Sequence, residues 1–82
     1  YFVYILRSLK NGKYYIGQTQ DLESRIKVHN SAKARWTKRY QPWELIHSEI
    51  YTRRCDAMKR EKFLKNIGGI RERLNEIVSG KL

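Results

Sequence analysis

The chain has 82 residues, with 18 Lys and Arg against 8 Asp and Glu and a net charge of +10. That length suits one modest domain over residues 1–82, near the size at which burial only just offsets chain entropy, and leaves no room for a second. So positive a field favours a polyanionic partner, while the lack of an apolar run near the ~20 residues of a bilayer span argues against a membrane segment.

Residues 1–7 are β-branched and aromatic with apolar side chains at both parities. Phe2, Tyr4 and Leu6 fall on one face and Val3 and Ile5 on the other, which predicts a strand covered on both sides. Asn11-Gly12 is a strong hairpin signal, because a two-residue turn there needs φ > 0 at both positions. Residues 14–19 then return antiparallel, and closing the hairpin on that dipeptide sets Tyr4 opposite Thr19, Leu6 opposite Gly17 and Ser8 opposite Tyr15. Tyr4 and Tyr15 share a face in this register. A glycine inside a strand weakens it unless something approaches the backbone closely, so Gly17 predicts a cleared space beside Tyr4.

Asp21 is a good N-cap for a helix of about three turns ending near Asn30. At about 100° per residue, Arg25 and His29 lie beside Leu22 and Ile26 and border the buried stripe. Residues 31–41 have no clean period and carry Lys33, Arg35, Lys38 and Arg39 with Trp36 and Tyr40 between them. Cations supply phosphate contacts and rings stack on bases, so this segment is a candidate nucleic-acid surface; a solvated loop with one ring tucked inward is the other reading.

Pro42 suits the start of a strand, and residues 43–51 read as a third strand of mixed polarity. His47 there reads as a surface or strand-pair residue. From Arg53 to Asn66 the pattern is helical, with Ala57, Met58 and Leu64 forming its apolar stripe. The same projection sets Glu61 about 40° from Ala57, in the middle of the face expected to be buried. A buried carboxylate needs a cation, a donor or a metal ion, and an ion pair to Lys65 or Arg54 would serve as well as a metal. Gly68-Gly69 breaks the chain before a last helix with the stripe Ile70, Leu74, Ile77 and Val78, ending at Gly80. The elements predict an α+β fold, a three-stranded antiparallel sheet flanked by about three helices in the order β-β-α-β-α-α. Lone Cys55 excludes an internal disulfide and, on a helix among arginines, reads as inert; two histidines make no zinc cluster of recognisable spacing.

This ordered set resembles the GIY-YIG nuclease superfamily over about residues 2–66, and within it the small bacterial proteins related to the nuclease domain of the excision-repair incision subunit. Val3-Tyr4-Ile5 stands at the first family element and Tyr15-Ile16-Gly17 at the second, eleven residues on. Arg25, His29 and Glu61 follow in the family's order of arginine, histidine and metal-binding glutamate. The resemblance implies an endonuclease that hydrolyses phosphodiesters with one divalent ion, magnesium or manganese, held by Glu61 and with no small-molecule cofactor. Tyr4 or Tyr15 would deprotonate or orient the attacking water, Arg25 would stabilise charge on the phosphate, and His29 would position Tyr4 or share in proton transfer. Some members carry a lysine three residues after the second tyrosine; this chain has Gln18, which turns the base assignment toward Tyr4. Neither Asn66 nor Asn75 stands at the spacing of the asparagine that many members have after the glutamate.

The expected partner is nucleic acid, DNA in preference to RNA on the resemblance alone, in repair or processing of particular DNA structures, and the expected location is the cytoplasm. The competing reading is a catalytically weak nucleic-acid-binding module of the same fold that acts with a partner.

Overall fold

The computed structural model describes residues Tyr1–Leu82. Its elements run β1 (Phe2–Ser8), β2 (Tyr14–Thr19), α1 (Leu22–His29), a 3₁₀ turn over Trp36–Tyr40, β3 (Trp43–Ile50), α2 (Arg54–Asn66) and α3 (Ile70–Val78). This is the expected α+β order. The three strands are antiparallel with β1 in the centre, flanked by β2 and β3. No helix is long and apolar enough to cross a membrane.

The double-sided apolar pattern of β1 produces two cores, one on each face of the sheet. Val3 and Ile5 pack with Ile16, Ala57, Leu64 and Ile77 under α2 and α3. Tyr4 and Leu6 pack with Trp43 on the opposite face, where Leu22 and Ile26 of α1 close over them. Burying branched and aromatic side chains on both faces stabilises the central strand by roughly 1.5–3 kcal/mol for each large residue.

The hairpin register differs from the one expected. The Ser8 N–H donates to the Lys13 carbonyl at 2.8 Å and the Gly12 N–H to the Ser8 carbonyl at 2.9 Å, so residues 9–12 form a four-residue loop. Only Gly12 takes a positive φ, +77°, and Asn11 does not. Instead Asn11 Oδ1 accepts the Lys13 N–H, while Ser8 Oγ accepts the N–H groups of Lys10 and Asn11. These side-chain acceptors stabilise the wider loop over a two-residue turn. Tyr4 therefore faces Gly17 and Leu6 faces Tyr15. A shift of two residues keeps parity, so Tyr4 and Tyr15 still share a face.

β3 carries a bulge opposite the Ile5/Leu6 step. The extra residue reverses which face the odd-numbered side chains take, and this accounts for its mixed polarity. Trp43 and Leu45 fall on the α1 side, whereas His47 and Glu49 fall on the α2 side. There Glu49 accepts two hydrogen bonds from Arg60, at 2.8 and 3.0 Å, and one each from Tyr51 and His47. With both side chains under one-fifth exposed, this fork clamps β3 to α2. Burial works to raise the Glu49 pKa, but the Arg60, Tyr51 and His47 donors hold it down at about 2.

Two residues expected in apolar stripes lie outside them. Met58 and Val78 are half exposed. On α2 the buried arc is centred on Ala57 and Leu64, which leaves Met58 about 100° round from Ala57. Val78 likewise lies beyond the arc of α3 that Ile70, Leu74 and Ile77 turn inward. The last helix stops as expected at Gly80, φ +81°. The Lys81 N–H reaches the Glu76 carbonyl and the Gly80 N–H the Ile77 carbonyl, the paired bonds of a Schellman cap.

Candidate active site and nucleic-acid interface

Gly17 is what lets the two tyrosines of the hairpin share one face. A Cβ there would stand 2.6 Å from Tyr4 Oη and 3.0 Å from Tyr15 Cε2. The space cleared by this glycine is the one expected beside Tyr4, and the Tyr4 ring itself fills it, lying across β2. The two tyrosine rings are 6.2 Å apart, tilted by 36°.

Helix α1 brings the histidine to them. Asp21 caps its first turn by accepting the Ser24 N–H at 3.2 Å. At the other end the Asn30 side chain pairs like a peptide with Trp43, accepting its N–H at 2.7 Å and donating to its carbonyl at 3.1 Å. Gln41 Nε2 donates to the carbonyls of His29 and Ser31. The last turn of α1 is thus fixed to the start of β3. His29, buried at this point, sets Nε2 2.9 Å from Tyr4 Oη and Nδ1 3.1 Å from Thr37 Oγ1. Its ring also packs 4.6 Å from that of Tyr15. Burial and the nearby Arg25 charge lower the His29 pKa from its usual value, which favours the neutral imidazole.

Tyr4 is 1% exposed. Burial pushes its pKa up to about 12, against the pull of the adjacent Arg25 guanidinium; the charges of Tyr15 and Glu61 add to the rise. Arg25 itself is exposed and has no acidic partner. It lines a cavity of about 330 Å³ with Tyr15, His29, Lys33, Arg35 and Trp36. Of the five loop residues singled out for nucleic acid, the three nearest α1 in sequence, Lys33, Arg35 and Trp36, are therefore gathered at the histidine. Lys38 and Arg39 are not among its lining. Their turn leans on the hairpin, where Lys10 Nζ donates to the Arg39 carbonyl at 3.4 Å.

Glu61 reaches the sheet from the opposite side. Its side chain is 19% exposed, with Oε2 2.9 Å from Lys65 Nζ, and Oε1 accepts Gln18 Nε2 at 3.1 Å. The helical projection is right that this carboxylate faces the sheet, and the Lys65 partner also forms. Glu61 makes no direct hydrogen bond to Tyr4, Tyr15, Arg25 or His29. Its donor set suits one hard divalent ion shared with a substrate: a single carboxylate, where no group of three His, Cys, Asp or Glu would enclose a metal. Magnesium keeps several waters and is commonly held by one or two carboxylates and substrate phosphates. The exposed Lys65 ammonium already pairs with this carboxylate, so any cation bound there would have to displace it.

Thr37 is a site residue with no signal in the sequence. It is buried, holds His29 Nδ1, and its carbonyl accepts the Trp43 indole N–H at 2.8 Å. In sequence it is one threonine among four cations in an irregular stretch, and only the 3₁₀ turn directs it inward.

The geometry has parallels in known proteins. Residues 1–75 match the family described as the GIY-YIG catalytic domain. The chain is 39% identical over 66 residues to the UPF0213 protein SERP0126 of Staphylococcus epidermidis, covering 79% of each. It is 37% identical over 68 residues to the UPF0213 protein YazA of Bacillus subtilis, covering 82% of this chain and 68% of that protein. The solution NMR structure of the UPF0213 protein BH0048 from Bacillus halodurans superposes with a TM-score of 0.58 at 33% identity, covering 98% of this chain and 83% of the other.

Proposed function

Because this chain belongs to the GIY-YIG catalytic-domain family, we propose that it is a divalent-metal-dependent endonuclease that hydrolyses phosphodiesters in DNA, selecting particular DNA structures in repair or processing. The observation that carries this reading is the convergence of Tyr4, Tyr15, Arg25 and His29 on one face of the hairpin, beside a cavity bearing unpaired cations.

Glu61 would hold the metal, with Lys65 turned away from it. When bound, magnesium or manganese supplies Lewis-acid polarisation of the scissile phosphate and its leaving oxygen. Arg25 meets the non-bridging oxygens, which costs no ion pair because it has none to break. Tyr15 orients the attacking water through its hydroxyl, and the water's proton passes to bulk solvent as the new O–P bond forms. We assign this step to Tyr15 rather than Tyr4 because Tyr15 is half buried and lines the cavities, whereas the Tyr4 hydroxyl is enclosed. With a proton on Nδ1 directed at Thr37, His29 Nε2 accepts the Tyr4 O–H, fixing that ring over Gly17 and so the position of Tyr15 beside it.

The alternative, a weakly catalytic binding module, is favoured by one observation: Lys65 already neutralises Glu61. Incubating the purified protein with end-labelled duplex, nicked, branched and single-stranded DNA, with and without magnesium, separates the two. Magnesium-dependent products that disappear in Glu61→Ala support hydrolysis at this site. Salt-sensitive binding without products supports the module.

A further inference from the structure

The Tyr15 and Trp36 rings, 6.3 Å apart, form a partition between two cavities. On one side is the 330 Å³ cavity with Arg25, Lys33 and Arg35. On the other is a cavity of about 440 Å³ between β2 and the junction of α2 and α3, with Lys65 on its wall. Trp36 lines both and is 51% exposed. It is also braced: its indole rests on Tyr40 at 4.9 Å, Tyr40 abuts the buried Trp43 at 6.2 Å, and Lys13 sits over the Tyr40 ring at 4.8 Å. An exposed aromatic backed by a stack of rings presents a firm face at its free side. Unpaired cations on the cavity wall complement a phosphate backbone running past it.

Stacked bases in a duplex leave no room for a ring between them, and opening one step costs a few kcal/mol, least where the nucleotide is already unpaired. We infer that Trp36 is a wedge that selects a strand with an unpaired nucleotide, seating one base in each cavity on either side of the indole. This rests on the nuclease reading of the same site and names its substrate class: strands with an unpaired step at the point of cutting, in preference to intact duplex. The phosphate between the two bases is then delivered to Arg25 and Tyr15.

The test is equilibrium binding of the whole chain, in EDTA so that nothing is cut, to three 2-aminopurine DNA oligonucleotides: an intact duplex, the same duplex with one unpaired nucleotide, and the single strand. The wild type is expected to bind the two unpaired forms about tenfold more tightly than the duplex, quenching the 2-aminopurine. Trp36→Ala should bring those affinities down to the duplex value and leave the duplex unchanged, while Trp36→Phe stays close to wild type. Melting temperatures check the fold, and if Trp36→Ala melts early, Trp36→Leu keeps apolar bulk without a stacking face. Equal wild-type affinity for all three DNAs, or an equal loss on all three, overturns the wedge. Since no cleavage is read, that failure would leave hydrolysis standing. Lack of cleavage with magnesium would conversely leave the wedge standing.

Discussion

Tyr4 Oη lies 2.9 Å from His29 Nε2, and the histidine is held from behind by Thr37 at 3.1 Å. This chain joins the central strand, the end of the first helix and the 3₁₀ turn. A neutral imidazole is needed for Nε2 to accept from the phenol, and burial with the Arg25 charge lowers the His29 pKa in that direction. Because the folded pKa lies below the unfolded one, the contribution to stability is complete above the ordinary value near 6.5 and is lost below it, as pH falls toward and through the lowered folded pKa. The acid limb of the pH–rate profile should therefore lie below pH 6.5 and vanish in His29→Asn. A limb centred above 7 would contradict the assignment.

Thr37 acts through His29 and not on substrate. Thr37→Val keeps its shape and removes one hydrogen bond worth about 1 kcal/mol, which corresponds to roughly fivefold in rate. The readout that sets positioning apart from folding is the pH profile: its acid limb should shift in Thr37→Val while the melting temperature changes little. An unshifted limb would leave Thr37 a purely structural residue.

Gly17→Ala introduces a Cβ 2.6 Å from Tyr4 Oη and 2.8 Å from Tyr4 Cζ. Neither the enclosed ring nor the strand backbone has room to give. We expect a loss of about 1–3 kcal/mol in stability from overpacking, with cleavage falling further than stability because Tyr4 must leave His29. Chemical denaturation and cleavage rates on the same preparation measure both, and a variant as active and stable as wild type would contradict this packing.

The clamp between Glu49 and Arg60 lies on the face of the sheet opposite the tyrosines, and its main effect should be on stability. Truncating Glu49 to Ala strands a largely buried guanidinium, at a cost of roughly 3 kcal/mol. With the Glu49 pKa held at about 2 against an ordinary 4.5, its stabilisation is full above pH 4.5 and declines as pH falls toward 2. Urea midpoints measured between pH 7 and pH 3 should fall in the wild type and flatten in the variant. Parallel curves would show that the clamp carries none of the acid sensitivity.

Much of this was legible in the sequence because it rests on local periodicity. Alternation along residues 1–7 fixed both faces of β1, the cap at Asp21 and a period of 3.6 set Arg25 and His29 together, and the projection of α2 turned Glu61 toward the sheet. The parts that were not legible depend on partners far away along the chain. The hairpin register turned on Ser8 and Asn11 side chains satisfying the loop, which outweighed the dipeptide's preference for a tight turn. The β3 bulge, the Glu49–Arg60 fork and Thr37 behind His29 leave no periodic trace. Met58 continues the apolar stripe of α2 in sequence but sits at its rim, where periodicity alone does not distinguish a buried from a half-exposed position.

The most direct measurement of the central claim is a crystal of the protein with manganese and a phosphorothioate DNA strand that resists cutting, read by anomalous scattering. One manganese is expected on the Glu61 carboxylate, with Lys65 turned away and the scissile phosphate held by Arg25 and facing Tyr15. DNA bound in the basic cavity with Lys65 still on Glu61 and no manganese there would contradict that claim.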